Sequence, residues 1–332
     1  QPGYLDAVGG QPLLPVAREA WLAAVDAGWS DPARLHHEGR RAGVLLDAAR
    51  ASLAHSLGVT RTEVFVTTSG PTAVGVCIAG LIQARAPAAR RVVAAATESL
   101  AVLSAAHGCA ERVDLVPVSA TGRVDLAAFE QALSDPQPPA AVACLQAANP
   151  EVGTVQPVAE AAALTRAAGV PLLVHTVQVV GRIAVPEGWD VLCTSARDWG
   201  GPAGVGVIAI RPHVRWRPEE NPDRGWVSGF PDIPGTVAAA RALEYLNDCW
   251  VLEAQRHFAL TARLRDRLPA VAPGVAVTGE PTDRLPHVVT FTCAAVTGEV
   301  VVDRLARAGF SVASGSACTS DVRMPSQVHP RV

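Results

Sequence analysis

Glu63-Val64-Phe65-Val66-Thr67-Thr68 runs into Ser69-Gly70, and Pro71 then opens an apolar stretch that continues to Arg85. β-Branched and aromatic residues dominate the first run, which favours an extended strand. A proline in the first helical turn fixes φ without sacrificing a needed N–H, so Pro71–Arg85 reads as a helix. Strand, tight turn and helix make half of a βα unit, and the pattern recurs downstream. Arg91–Ala96, Val113–Val118, Ala140–Gln146 and Pro171–Thr176 read as strands. Between them Leu100–His107, Val124–Leu133 and Val158–Ala168 read as helices, the last capped by Gly169. Val191–Ser195 and Gly204–Ile210 read as two more strands, antiparallel across a Gly-Gly-Pro-Ala-Gly turn. Such alternation predicts an α/β fold with a mostly parallel mixed sheet flanked by helices.

Beyond Ile210 the pattern changes. Arg211–Pro234 is rich in Pro, Trp and Arg and reads as crossing loops, followed by one long helical stretch from Gly235 to Leu268. Short strands at Val275–Thr278 and His287–Thr292, a helix at Glu299–Ala308 and a strand into Gly315 complete the pattern. The expectation is a large α/β domain over residues 15–240 and a small α+β domain from residues 1–14 and 241–332.

Composition narrows the function classes. Of 332 residues, 49% are hydrophobic, the net charge is −3 and no run of like charge occurs. That disfavours nucleic-acid and anionic-membrane partners. No apolar stretch approaches the roughly 18–20 residues needed to span a bilayer. The seven cysteines lack any C-x-x-C pair, which reads as a reducing cytoplasm with buried thiols, not a disulfide framework or a metal site. All 28 basic Lys/Arg positions are arginine, and the chain has no lysine.

The motifs are spread along the chain. Tyr4-Leu5-Asp6 is followed by Leu35-His36 with Gly39-Arg40, and by Thr68-Ser69-Gly70 with Thr72. Then come Asn149 with Glu151-Val152-Gly153-Thr154, Val177-Gln178 with Gly181, Ser195-Ala196, and Gly201-Pro202 with Gly204. Ser228-Gly229, Pro234-Gly235, Ser314-Gly315-Ser316-Ala317-Cys318 and Pro325-Ser326 follow. In this order the set resembles the cysteine desulfurases of the class V aminotransferase group, which are fold-type-I pyridoxal phosphate (PLP) enzymes. The resemblance spans essentially the whole chain. It implies a cofactor phosphate at the Ser69–Ala73 turn, where helix N–H groups favour an anion. It also implies a histidine stacked on the ring, an aspartate at the pyridine nitrogen, a Schiff-base lysine and a loop cysteine that takes the substrate's sulfur as a persulfide.

Checked position by position, the cofactor ligands are replaced together. Pro71 stands where the phosphate turn has a residue with an N–H. Ser99 stands for the stacking histidine, His175 for the pyridine aspartate, Arg197 for a phosphate-binding histidine and Asp198 for the lysine. Guanidinium groups stay protonated and are not nucleophilic, so no arginine can replace that lysine. Thr72, Asn149, Gln178 and Ser195 remain as vestigial cofactor positions. The losses remove several contacts worth roughly 1–3 kcal/mol each. The expectation is therefore no covalent cofactor, with PLP weak or absent.

Cys318 reads either as a sulfur-accepting thiol or as a relic of a loop. His175, Arg197 and Asp198 read either as a rebuilt polar site or as a vacated pocket closed by a self-satisfied Arg–Asp pair. Asn149 and Gln178 are expected to bond local backbone and the cysteines other than Cys318 to pack in the core. Trp199, Trp216 and Trp226 read as a cluster that either caps a ligand pocket or is buried at a domain or dimer seam, the seam being the leading expectation. The leading expectation is an accessory sulfur-relay or iron–sulfur trafficking role, with Cys318 carrying a persulfide or a transient cluster and no other metal site. Its partners would be a second copy or a desulfurase homologue, together with a sulfur acceptor or scaffold protein. Two alternatives stand beside it: a desulfurase with weak non-covalent PLP and residual or partner-assisted activity, and a purely structural subunit.

Overall fold

The computed structural model describes residues 3–219, 224–227, 229–294 and 296–315. A short strand, β1 (Gly3–Tyr4), precedes helices α1 (Pro15–Val25) and α2 (His37–Leu57). The Nδ1 atom of His36 accepts the Gly39 N–H at the start of α2, and left-handed Gly58 ends it. β2 (Val64–Thr67) then leads through Ser69 into α3 (Gly70–Arg85).

The repeating units follow: β3 (Arg91–Ala95), α4 (Leu100–Cys109), β4 (Arg112–Val116), α5 (Leu126–Ser134) and β5 (Ala140–Gln146). After them come α6 (Val158–Ala167), β6 (Leu172–His175), β7 (Val191–Ser195) and β8 (Gly206–Ile210). Seven strands form one sheet in the order β2-β8-β7-β6-β5-β3-β4. β8 runs antiparallel to both β2 and β7, with Ser195 opposite Gly206, and the remaining pairs are parallel. This is the expected α/β mixed sheet, including the antiparallel β7–β8 pair.

Alternate residues of the central strands enter two separate cores, as the two-residue side-chain period of a strand requires. Leu145, Leu172, Val174, Leu192 and Val207 pack beneath α2, α5, α6 and the helix α7 (Ile233–Asn247). Cys144, Leu173, Val191, Cys193 and Ile208 face α3 and α4. Both faces are therefore covered, which is why the strands read as continuous apolar runs.

α7 is separate from α8 (Trp250–Val271), so the single long helix expected from Gly235 is two. The chain leaves helical geometry at Cys249 (φ −130°, ψ −12°). Asn247, Asp248 and Cys249 are weak helix formers, and the polar pair competes for backbone hydrogen bonds. β9 (Val275–Val277) pairs antiparallel with β10 (Phe291–Cys293). α9 (Gly298–Arg307) leads to β11 (Phe310–Ser311), which pairs in parallel with β1 and so ties the two ends of the described chain together.

Candidate functional site

β5, β6 and β7 end side by side at Gln146, His175 and Ser195. Ligands of open α/β sheets sit beyond these carboxyl ends. β7 passes directly into a 3-10 turn, Ala196–Trp199, which carries Asp198.

Asp198 is buried, 6% exposed. Its Oδ1 accepts from Gln178 Nε2 (3.2 Å), while its Oδ2 is buried with no hydrogen-bond partner. Burial pushes its carboxyl up to about 6, against the pull of Arg182. Gln178 is held in the left-handed region (φ 60°) and is the only non-glycine residue with positive φ among the described residues. A backbone of that kind costs about 1–3 kcal/mol and persists where the surroundings enforce it. Its side-chain carbonyl faces His287 Nε2 (3.0 Å), which makes that nitrogen the protonated one and leaves Nδ1 bare. His287 Nδ1 is likewise buried without a partner, and burial holds the ring well below its ordinary pKa.

Arg182 donates from Nη2 to the backbone carbonyl of Asp198 (3.3 Å) and to the Gln11 side-chain carbonyl, while its Nε is unpaired. Burial lowers its guanidinium to about 10. The expected self-satisfied pair of Arg197 with Asp198 is absent. The Arg197 side chain is exposed and lies against Gly10, and it forms no hydrogen bond or ion pair within the described residues. Successive residues of a tight turn point in different directions, so the neighbour in sequence turns outward and Arg182 supplies the nearby charge.

Beside this network, Ser99 Oγ meets His175 Nδ1 at 3.1 Å. Ser99 is also the N-cap of α4, accepting from the Val102 N–H (3.4 Å). Its hydroxyl hydrogen is therefore free to point at His175. Burial pulls His175 down to about 4, so the ring is neutral. Glu98 accepts from the backbone N–H groups of Gln146 and Ser99, yet burial still pushes it up to about 7.

The turn into α3 is closed on itself. The Ser69 Oγ accepts the Thr72 N–H (3.1 Å) and lies 2.7 Å from the Thr72 Oγ1, and Pro71 has no N–H to offer. Ser195 packs so closely that a Cβ on Gly70 would lie 2.8 Å from its own Cβ. Asn149 serves backbone: its Oδ1 accepts locally from Glu151 and Val152, as expected, whereas its Nδ2 donates to the carbonyl of Thr97, distant in sequence. Gln178 does not, since both ends of its amide reach side chains.

Two further expectations change. Cys77, Cys144 and Cys193 are core residues, but Cys109 is exposed and Cys249 and Cys293 are half-buried. The tryptophans do not cluster: Trp199 and Trp226 join the core beneath α2 and α7, whereas Trp216 packs on Phe65 at the other face. Cys318, Ser316, Ala317, Ser228, Pro325 and Ser326 lie outside the described residues. Among the described residues no group of three His, Cys, Asp or Glu is placed to hold a metal ion, and no helix is long and apolar enough to cross a membrane.

The arrangement brings His175, Gln178, Ser195 and Asp198 together at one end of the sheet. The sequence reading missed Gln11, Arg182 and His287 as members of the Asp198 network. Arg182 follows Gly181, and a charged side chain between apolar residues was the one available signal for it. Nothing in sequence brings Gln11 or His287 across the chain to Gln178.

Comparison with known proteins agrees with this geometry. Residues 27–331 match the family model for aminotransferase class-V. The chain is 33% identical to a cysteine desulfurase of Cereibacter sphaeroides, over 98% of this chain and 85% of that relative. It is 31% identical to an IscS-like cysteine desulfurase of Mycobacterium tuberculosis, over 98% and 86% of the two chains. Among solved structures, a NifS-like protein superposes with a TM-score of 0.87 at 24% identity, covering 99% of this chain and 92% of its own. The chain belongs to the aminotransferase class-V family, in its cysteine desulfurase-like group.

Proposed function

We propose that this chain is an accessory protein of sulfur transfer that no longer uses the PLP of its family, with Cys318 as the sulfur-carrying thiol. The observation that carries the reading is the buried Asp198 at the position where the resemblance puts the lysine. A carboxylate cannot capture an aldehyde. The surrounding residues do not fit the cofactor either. His175 is neutral and has no negative charge with which to keep a pyridine nitrogen protonated. Ser99 offers no ring to stack, and the turn at Ser69–Thr72 has engaged its two hydroxyls and the Thr72 N–H internally, while Pro71 has no N–H to give.

The sequence retains the full Ser314-Gly315-Ser316-Ala317-Cys318 segment although the cofactor positions have changed. A relay at Cys318 needs no cofactor. Its thiolate attacks the terminal sulfur of a donor persulfide, the donor's S–S bond breaks, and the donor leaves as a thiolate. Cys318 then bears the persulfide, with no net oxidation or reduction. The partners of this reading are a second copy or a lysine-bearing desulfurase homologue as donor, and a sulfur-acceptor or scaffold protein. All the described cysteines are free, consistent with a reducing compartment such as the cytoplasm.

The test is persulfide transfer from a loaded, active desulfurase, read by mass spectrometry of the intact chain. The expected result is a gain of one sulfur on the native protein and none on C318A. Equal loading of C318A would overturn the relay. In parallel, PLP in excess followed by borohydride is expected to leave no pyridoxyl group on any side chain; a chain without lysine makes this control unusually clean. Sulfide release from cysteine with PLP present would instead support residual desulfurase activity.

A further inference from the structure

We propose that the Asp198 pocket is a binding site for a primary ammonium group, carried by a ligand that also bears an anion. The inference rests on the reading above, that no aldehyde is captured at this position, and it names what the position takes in its place.

A lysine presents an amine to a carbonyl, whereas an aspartate presents a carboxylate to a cation. In this pocket the carboxylate is only half satisfied: Gln178 Nε2 binds Oδ1, and Oδ2 is buried with no partner. Buried polar atoms are nearly always paired, so an unpaired carboxylate oxygen marks a missing donor. Arg182 lies near enough for its charge to act on the carboxyl, but no ion pair to Asp198 forms within the described residues. Arg182 turns its Nη atoms to the Gln11 carbonyl and the Asp198 backbone carbonyl instead. A metal ion lacks ligands, because no cluster of three His, Cys, Asp or Glu exists among those residues. A primary ammonium brings both the charge and the N–H donor. The other end of the ligand has a cation to meet: Arg197, on the same turn, is exposed and unpaired. An amine-bearing phosphate and an amino acid share this chemistry.

Isothermal titration calorimetry on the full chain separates the sources. Pyridoxamine phosphate, pyridoxal phosphate and pyridoxine phosphate differ only in carrying an aminomethyl, a formyl or a hydroxymethyl group. The expected result is binding of the amine about ten- to hundred-fold tighter than the hydroxymethyl form, the range of a charge-assisted hydrogen bond. D198N brings the two within about threefold, and D198E, which keeps the carboxylate, retains the preference. Thermal melts of both variants verify folding. If a free amino acid is the occupant, L-alanine binds in an Asp198-dependent manner while propionate, which lacks the amine, does not. Equal binding of amine and hydroxymethyl forms, together with no discrimination between L-alanine and propionate, would falsify the ammonium site. That outcome with no trapped PLP leaves the accessory reading standing. Covalently trapped PLP on a side chain sinks the accessory reading instead.

Discussion

Two arginines at opposite ends of the same sheet, one fully buried and one half-buried, meet very different surroundings. Arg91 opens β3 at the amino end and is fully buried. Its guanidinium reaches Asp114 (2.6 Å) and the backbone carbonyls of Ala132, Asp135 and Pro138 at 2.6–2.7 Å. Arg182, beyond the carboxyl end of β6, keeps an unpaired Nε, and the nearby Asp198 an unpaired Oδ2. Arg91, which serves the fold, has its hydrogen-bonding capacity filled. Polar groups left unfilled inside a protein with a well-satisfied core are the mark of a site. The contrast locates function at the carboxyl end without appeal to any relative.

The contrast breaks first at Arg91. R91L removes one arm of a buried ion pair and strands three carbonyls, and is expected to cost about 3–5 kcal/mol in urea denaturation. The loss should be the same at pH 5 and pH 8, because arginine stays protonated throughout. A cost below about 1 kcal/mol would show that Arg91 is not the structural member of the comparison.

At the other end the sign reverses. Asp198 has a folded pKa near 6 against an ordinary value of 3.8, so the folded state disfavours its charge. That penalty is absent while the group is protonated, grows as pH rises from about 4 to about 6, and is complete above. D198N is therefore expected to stabilise the protein by about 2–3 kcal/mol at pH 8, with the gain roughly halved at pH 5 and gone by about pH 4. A destabilisation that is constant with pH would mean that Asp198 is held as firmly as Arg91.

The sheet was legible because each strand is a short apolar run punctuated by Gly, Pro or Ser, and buried strands leave little else to read. α1 and α2 were not legible. The buried stripe of α2 is Ala42, Leu46, Ala49, Leu53 and Leu57, and alanine carries a weak hydrophobic signal among the arginines and histidines around it. In the site, the identities at Ser99, His175, Arg197 and Asp198 came from residue order and spacing. Their contacts did not, because direction within a turn is decided by backbone geometry: Arg197 and Asp198 are adjacent, yet one is exposed and the other buried. The break at Cys249 was hidden for a related reason, since neither glycine nor proline marks it.

Ser99 tests the middle ground between the two ends, a site residue whose bonds are filled. It caps α4 through the Val102 N–H and holds His175 Nδ1. Replacing an N-cap serine by alanine costs about 1 kcal/mol, and an unpaired buried ring nitrogen adds a similar amount. S99A is therefore expected to lose about 1–2 kcal/mol, less than R91L. The pH profile should keep its shape. The His175 pKa lies near 4 because the ring is buried, so the stability gained by keeping it neutral is present above 6.5 and lost as pH falls through 4, with or without Ser99. If S99A shifted that acid limb upward in pH, the hydroxyl and not burial would be what keeps His175 neutral, and the pair would belong with the unfilled groups around Asp198.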